Sequence, residues 1–400
     1  MSTTNPSSGS RSPSPAQRLK ESSSGLELWW DSSPLVYQKW SGGLGAPYRD
    51  VELFQVEDGH AGPQFSTGSL LQGSTTNQPL TWQVIEQEPD YWGQWIAANS
   101  QDLDRSDSKE AMWRLFIEVA RRGAEMLGPI HEASGGKLGQ ICCQVDPRDM
   151  TNLEAMLAQA RRIHAARPNM MVKMPGTQEG IEGVRILTAE GIPTNVTLGF
   201  TVPQLVAVGE AARAGLAEAQ ARGTDLSHWR SCAVMMLGRY EDAPPMKAQA
   251  SERGIELSEA DLRWAGVAVF RQAHKLFQER GYPSKLMAAS MRPGPIIDGV
   301  KHVWHLEKLA GANAVLTVFP NIFELLLASY AELPLEAQID EPPPDDVMDR
   351  LLRIPYFAEA YKEDGIAPQD WASHAALKAT AASFSEAMAK VEAFAAGKIA

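Results

Sequence analysis

Cysteine is scarce in this sequence: Cys142, Cys143 and Cys232 are the only three among 400 residues. An odd count with two adjacent members fits a disulfide framework poorly, so a reducing, cytoplasmic setting is the expectation. Basic residues are also outnumbered, with 37 Lys and Arg against 49 Asp and Glu and a net charge of -12. A nucleic-acid partner calls for the opposite balance, so none is expected. A phosphorylated small molecule needs only a few local cations and stays open. No apolar run reaches the roughly 18 residues of a membrane span, which argues against a membrane partner. The first residues lack the apolar stretch of a secretory signal.

What is present reads as ordinary globular composition, 44% hydrophobic and 22% charged. Residues 1–24 are rich in Ser, Pro and Thr, and are expected to be a disordered tail. A plastid-type transit peptide has a similar bias. Over 25–331, short apolar runs alternate with helical patterns. The strand candidates are 26–30, 67–71, 138–145, 170–174, 193–198, 231–237, 284–290 and 313–319. Most are apolar throughout, as for strands covered on both faces. The helical patterns include 149–166, with Asp149 as a cap, then 178–190, 201–222, 256–280 and 296–310. Several helices are expected within 79–128.

Strands alternating with helices imply a parallel sheet. Eight such units, with no Gly-rich dinucleotide turn after the first strand, predict an α/β fold of the (β/α)8 TIM-barrel kind. The polar stretch 31–67 reads as an insertion after strand one, lying over one barrel end. Residues 332–400 open on the linker-like "EPPPDD" and predict extra C-terminal helices packed on the barrel, outside it or across a mouth.

In such a barrel, chemistry belongs at the C-terminal ends of the strands. Polar residues gather there: Asp31; Thr75, Thr76 and Asn77; Gln144 and Asp146; Lys173 and Thr177; Asn195 and Thr197; Arg239; Ser290 and Arg292; Asn321. Asn195 and Thr197 are two apart and share one strand face. Lys173 is the unusual member, an ammonium within the apolar run "MMVKM". Burial disfavours its charged form, and a neutral amine attacks a ketone to give a Schiff base. The plain alternative is a lysine snorkelling from a strand end, or a structural ion pair with Asp31.

The stretch "MVKMPGTQEGIEGVRILTAEGIPTNVTLGFT" resembles the Schiff-base strand and the Asn–x–Thr–Leu strand of the transaldolase family, class I aldolases of the (β/α)8 type. "STTNQP", "QVDPRD", "LGRYED" and "AASMRPGPI" resemble further segments of that family. The resemblance covers roughly residues 26–330. It implies transfer of a dihydroxyacetone unit from a ketose phosphate to an aldehyde, with no metal or organic cofactor. Lys173 would form the Schiff base, Asp31 would assist proton transfer, and Thr197 would place a water. Thr75 would belong to the substrate loop, and Asn77 and Asn195 would hold the dihydroxyacetone hydroxyls. Arg239, Ser290 and Arg292 would bind the phosphate, a task that suits guanidinium forks.

Three positions depart from the family. Its strand-three glutamate, the usual acid/base, is Gln144, which cannot take a proton. Its strand-six serine and aromatic are Val234 and Met236. Gln78 stands where a proline is usual. Fructose-6-phosphate-aldolase-like members carry the glutamine but rely on a strand-six tyrosine, which Met236 is not. Asp31, Asp146 or a hydroxyl of the insertion would have to substitute. These departures motivate two alternatives: a divergent aldolase, lyase or transferase of a specialised pathway, and a non-catalytic sugar-phosphate-binding protein.

Trp29, Trp30, Trp40, Trp82, Trp92 and Trp95 crowd the first hundred residues. Packing in the core and in a homodimer accounts for them; the sharper reading is an aromatic wall for a less polar acceptor. Cys142 and Cys143 read as small core residues rather than a redox pair. His302 and His305 have a spacing a metal could use, but with no carboxylate or cysteine set nearby, a solvated helix face is expected.

Overall fold

The computed structural model describes residues 12–45, 53–59 and 62–399. Eight parallel strands close a barrel in which each strand neighbours those before and after it. They are β1 (Glu27–Trp30), β2 (Gly73–Thr75), β3 (Gln140–Gln144), β4 (Met170–Pro175), β5 (Thr194–Gly199), β6 (Ser231–Met236), β7 (Lys285–Ala289) and β8 (Ala314–Val318). Almost every strand residue is buried, because helices cover the outer face and side chains fill the lumen. Register places Gln144 beside Lys173, and Lys173 beside Asn195. In a parallel sheet, laterally paired residues face the same way, so these three share the inward face with Asp31.

The second strand differs from the expectation at 67–71. Leu71 donates its N–H to Leu53 in the preceding segment, at 3.0 Å. The barrel strand is the polar triplet that follows. Gly73 is required there, because a Cβ would stand 2.6 Å from the Trp29 indole. The helix expected over 296–310 is also largely replaced. Ile296–Ile297 and Val300–Lys301 form an antiparallel hairpin, and only Trp304–Glu307 is helical. The turn is Asp298–Gly299 with φ of 50° and 79°, a pair that favours a tight hairpin over a helix.

Part of the expected N-terminal tail is ordered. Residues 1–11 lie outside the described residues, but Pro15–Glu21 is a helix with a Ser14–Gln17 capping box. Ala16 and Leu19 are fully buried, and Arg18 donates to the Leu333 carbonyl at 3.0 Å and to that of Tyr330. Two apolar side chains and one guanidinium suffice to dock this turn. The helix Leu153–Ala166 is capped by Asn152 rather than Asp149, which instead accepts from Gln159 at 2.7 Å.

The described residues of the segment after β1 pack on the flank, not over a barrel end. Its described part holds a short helix (Tyr37–Gly43) and a hairpin (Val56–Gly59 with Gly62–Phe65). The hairpin packs against helices Ser108–Met126 and Gly128–Ala133. Trp30, Tyr37, Trp40, Phe54, Phe65 and Phe323 join in one aromatic cluster. At the C-terminal end of the chain, Asp345–Leu352 and Pro355–Tyr361 lie outside the barrel, against helix Glu259–Arg280. The last helix, Ala375–Ala396, crosses the upper mouth, touching helices Gln78–Gln87 and Ser108–Met126 and β5.

The lower end of the lumen is closed by charge. Glu27 accepts from Arg230 at 2.8 Å, from Lys285 at 2.7 Å and from the Trp29 indole N–H at 3.0 Å.

Candidate active site

At the upper end of the lumen, a pocket of about 410 Å³, open mouth included, brings together residues from six strands and the last helix. Asp31, Thr75, Asn77, Lys173, Thr197, Arg239, Ser290 and Thr317 supply its polar side; Val234, Met236, Met287, Phe319 and Phe384 its apolar side. Lys173 is 5% exposed, and its Nζ donates to the Thr76 carbonyl at 3.2 Å. Among the described residues it makes no ion pair. Burial holds its ammonium below the usual lysine range, opposed only by the nearby Cys142, Asp31 and Cys143. Asp31 is the complementary group. Burial pushes its carboxyl up to about 6, against the pull of Lys173 and of the Thr75 hydroxyl, which donates to it at 2.8 Å. Thr75 also shares a 2.7 Å hydrogen bond with Thr317. Burial thus disfavours the charged forms of two groups of opposite type that face one small cavity.

Thr197 donates to the Met236 sulfur at 3.6 Å. Asn195 and Gln144 flank Lys173 in register but do not line the pocket. Asn195 donates to the Met287 sulfur at 3.5 Å, while its Oδ1 and the Gln144 Oε1 are buried and unpartnered. Asn77 caps helix Gln78–Gln87 through its side chain and reaches the pocket from that turn. Gln78, its neighbour, donates to the Val145 carbonyl at 3.0 Å.

Arg239 is the free cation of the site. Among the described residues its guanidinium has no hydrogen bond or ion pair, and it stands 5.3 Å above the Phe384 ring. Burial, then Arg292, lowers its pKa. Arg292 stands at the rim, donating to Asp242 at 2.8 Å, to the Ser290 carbonyl at 3.1 Å and to the Ser290 hydroxyl at 3.3 Å. Ser290 has φ of 59°, a left-handed backbone that a non-glycine residue holds only when its surroundings impose it.

Several sequence candidates fall outside the pocket. Asp146 is bound by Arg148 at 2.6 Å, and Arg148 continues to Glu392 on the last helix. Thr177 is a helix cap, with its hydroxyl on the Met150 carbonyl at 2.7 Å. Asn321 is exposed on helix Pro320–Ser329. None of the six tryptophans lines the pocket. Cys142 and Cys143 are buried with thiol pKa values pushed well up by burial. The solvated helix face expected for His302 and His305 is not found. His302 pairs with Glu307 at 2.8 Å, and His305 is fully buried against Glu241 at 2.7 Å.

Phe384 and Thr317 also line the pocket, beyond the residues to which the sequence points. Thr317 carried a signal, a hydroxyl in an otherwise apolar strand on the inward register. Phe384 carried none, lying on an Ala-rich helix far from the strands.

Known proteins share this chain's pattern. The profile of the Transaldolase/Fructose-6-phosphate aldolase family matches residues 51–393. A transaldolase of Thiobacillus denitrificans is 29% identical over 285 residues, covering 68% of this chain and 78% of its own. One of Thermobifida fusca is 31% identical over 232 residues, 57% and 56% of the two chains. One of Saccharopolyspora erythraea is 32% identical over 234 residues, 58% and 61%. The profile match begins after β1 and Asp31, then runs through the seven other strands and nearly to the end of the last helix; on that extent, the chain belongs to the Transaldolase/Fructose-6-phosphate aldolase family.

Proposed function

We propose that this chain is a transaldolase-type transferase that moves a dihydroxyacetone unit from a ketose phosphate to an aldehyde through a Schiff base on Lys173. The observation that carries the proposal is Lys173 itself: a buried amine that, like Arg239 in the same pocket, makes no ion pair among the described residues, with Asp31 across the cavity. Unprotonated, the amine adds to the donor carbonyl, and the carbinolamine takes a proton from Asp31 and loses water to give an iminium. Asp31 takes the proton from the hydroxyl on the carbon beyond the scissile bond. That bond breaks, an aldehyde leaves, and the electron pair stays as an enamine on the lysine. The enamine then attacks the acceptor aldehyde, Asp31 returns the proton, and water releases the new ketose. Thr197 positions that water, Asn77 and Asn195 hold the three-carbon hydroxyls, and Thr75 orients Asp31. Arg239, Ser290 and Arg292 receive the phosphate.

With Gln144 unable to carry a proton and Asp146 held by Arg148, Asp31 is the one carboxyl among the described pocket residues left for this work. A second reading, a divergent aldolase or lyase on the same lysine, is favoured by the apolar wall of Val234, Met236, Met287 and Phe319, which suits a less hydroxylated partner than a sugar. Borohydride reduction with fructose 6-phosphate, followed by intact-mass and peptide mapping, separates the readings. A dihydroxyacetone-sized adduct on Lys173 is the expected result. An adduct only with other ketones or aldehydes supports the second reading. No adduct with any carbonyl compound, despite sugar-phosphate binding, supports a non-catalytic binding protein.

A further inference from the structure

Behind Arg239 and Arg292 lies a buried cluster that the chemistry at Lys173 does not use. Glu241 ends the short helix Leu237–Glu241, which also carries Arg239, and is fully buried. Its carboxylate accepts from Arg263 and from His305 Nε2, the latter at 2.7 Å. The other ring nitrogen, His305 Nδ1, lies 3.0 Å from the backbone N–H of Arg292. A backbone N–H can only donate, so Nδ1 is the acceptor and the ring proton is on Nε2, directed at Glu241. The ring is therefore neutral. Burial, with Arg263 and Arg292 nearby, agrees by holding its pKa well below the usual histidine range. Arg263 adds a second tie to the same segment, donating to the Pro293 carbonyl at 3.1 Å.

Two glycines bring these parts together. A Cβ on Gly266 would strike the Glu241 carboxylate, and one on Gly238 would strike the Ser290 carbonyl and the Arg292 side chain. Gly238 also donates to the Ser290 carbonyl at 2.9 Å. The helix bearing Arg239 and the loop bearing Arg292 are thus both fastened to one buried carboxylate. Two guanidinium groups at one mouth repel each other, so a phosphate site made of them needs outside restraint to be preorganised.

We propose that His305 is a positioning residue of the anion site: with its tautomer set by Glu241, its Nδ1 accepts the Arg292 N–H and so holds Arg292 in one fixed relation to Arg239. This rests on reading the two arginines as a phosphate clamp. The test compares two neutral amides. In His305→Asn the side-chain oxygen falls near the place of Nδ1 and keeps an acceptor for the Arg292 N–H. In His305→Gln the amide nitrogen falls near Nε2 and keeps only the donor to Glu241. Titration calorimetry of the full chain with inorganic phosphate is expected to show about tenfold weaker binding in His305→Gln, the scale of one buried unsatisfied donor. His305→Asn should stay within about threefold of the parent. Unchanged binding in His305→Gln overturns the proposal. Equal losses in both variants also overturn it, because a purely structural role moves both alike. If the parent chain itself does not bind phosphate, the clamp reading fails first and the proposal falls with it.

Discussion

At the lower end of the barrel lumen, Glu27 meets Arg230 at 2.8 Å and Lys285 at 2.7 Å; at the upper end, Asp31 and Lys173 share the lumen with no direct bond between them. The residue types are the same, a carboxylate with cationic partners, and both places are buried. For Glu27, burial pushes the carboxyl up, but Arg230 and Lys285 together outweigh it and hold the group below the usual range. For Asp31 burial wins and the value climbs to about 6, while Lys173 is driven the other way. The difference lies in the nearest partners. Glu27 has charged donors in contact, whereas Asp31 has a hydroxyl and Lys173 a carbonyl. A saturated ion cluster makes a floor; the same charges held apart keep their reactivity.

Removing the amine is the strongest way to break this comparison. Lys173→Met is expected to abolish the borohydride-trapped adduct and to lower turnover by at least about 10⁴-fold, the scale on which loss of a nucleophile acts. Its melting temperature should hold or rise, because a desolvated amine leaves an apolar strand. Retained turnover would place the nucleophile elsewhere.

The matching change at the floor acts on stability instead. Glu27→Gln leaves Arg230 and Lys285 half-buried without their anion, and should cost about 1–3 kcal/mol in urea unfolding. Trapping at Lys173 is expected to persist in the folded variant. Its loss would mean that the two ends are coupled and the contrast is false.

Arg239→Gln sharpens the contrast within the upper end. Michaelis kinetics should show KM for a phosphorylated substrate rising by roughly ten- to a hundredfold, the worth of a charge-assisted hydrogen bond, with a far smaller change in kcat. A fall in kcat alone would remove Arg239 from phosphate binding.

The smallest effect is in pH. The folded-state pKa of Asp31 lies above its ordinary value of 3.8, so the folded chain holds this proton more tightly than the unfolded one. Its contribution to stability is complete below that ordinary value and is lost as pH rises through about 6. Stability measured across this window should decline less in Asp31→Asn than in the parent. Identical slopes would show that burial does not control this carboxyl.

Seven of the eight strands were legible because most are apolar runs covered on both faces and all are bounded by helical patterns. The second was not, because Gly73, Ser74 and Thr75 carry no apolar signal; their strand exists because Gly73 leaves room for Trp29. The hairpin that replaces a helix at 296–301 has a local cause present in the sequence, the Asp298–Gly299 turn. His305 was misread for the opposite reason: its partners Glu241 and Arg292 lie on other elements, so nothing near it in the chain marks it as buried.

The sequence by itself determined the strand–helix alternation of a barrel, the shared face of Asn195 and Thr197, and the absence of a carboxyl at Gln144, since these follow from hydrophobic patterning, two-residue spacing and residue identity. Only the tertiary structure decided which charges meet. It paired Asp146 with Arg148, left Arg239 to face Phe384 of the last helix, and turned Glu241 and His305 into one buried unit. Pairing depends on distances of a few ångströms between segments far apart in the chain, and burial then converts those distances into protonation state.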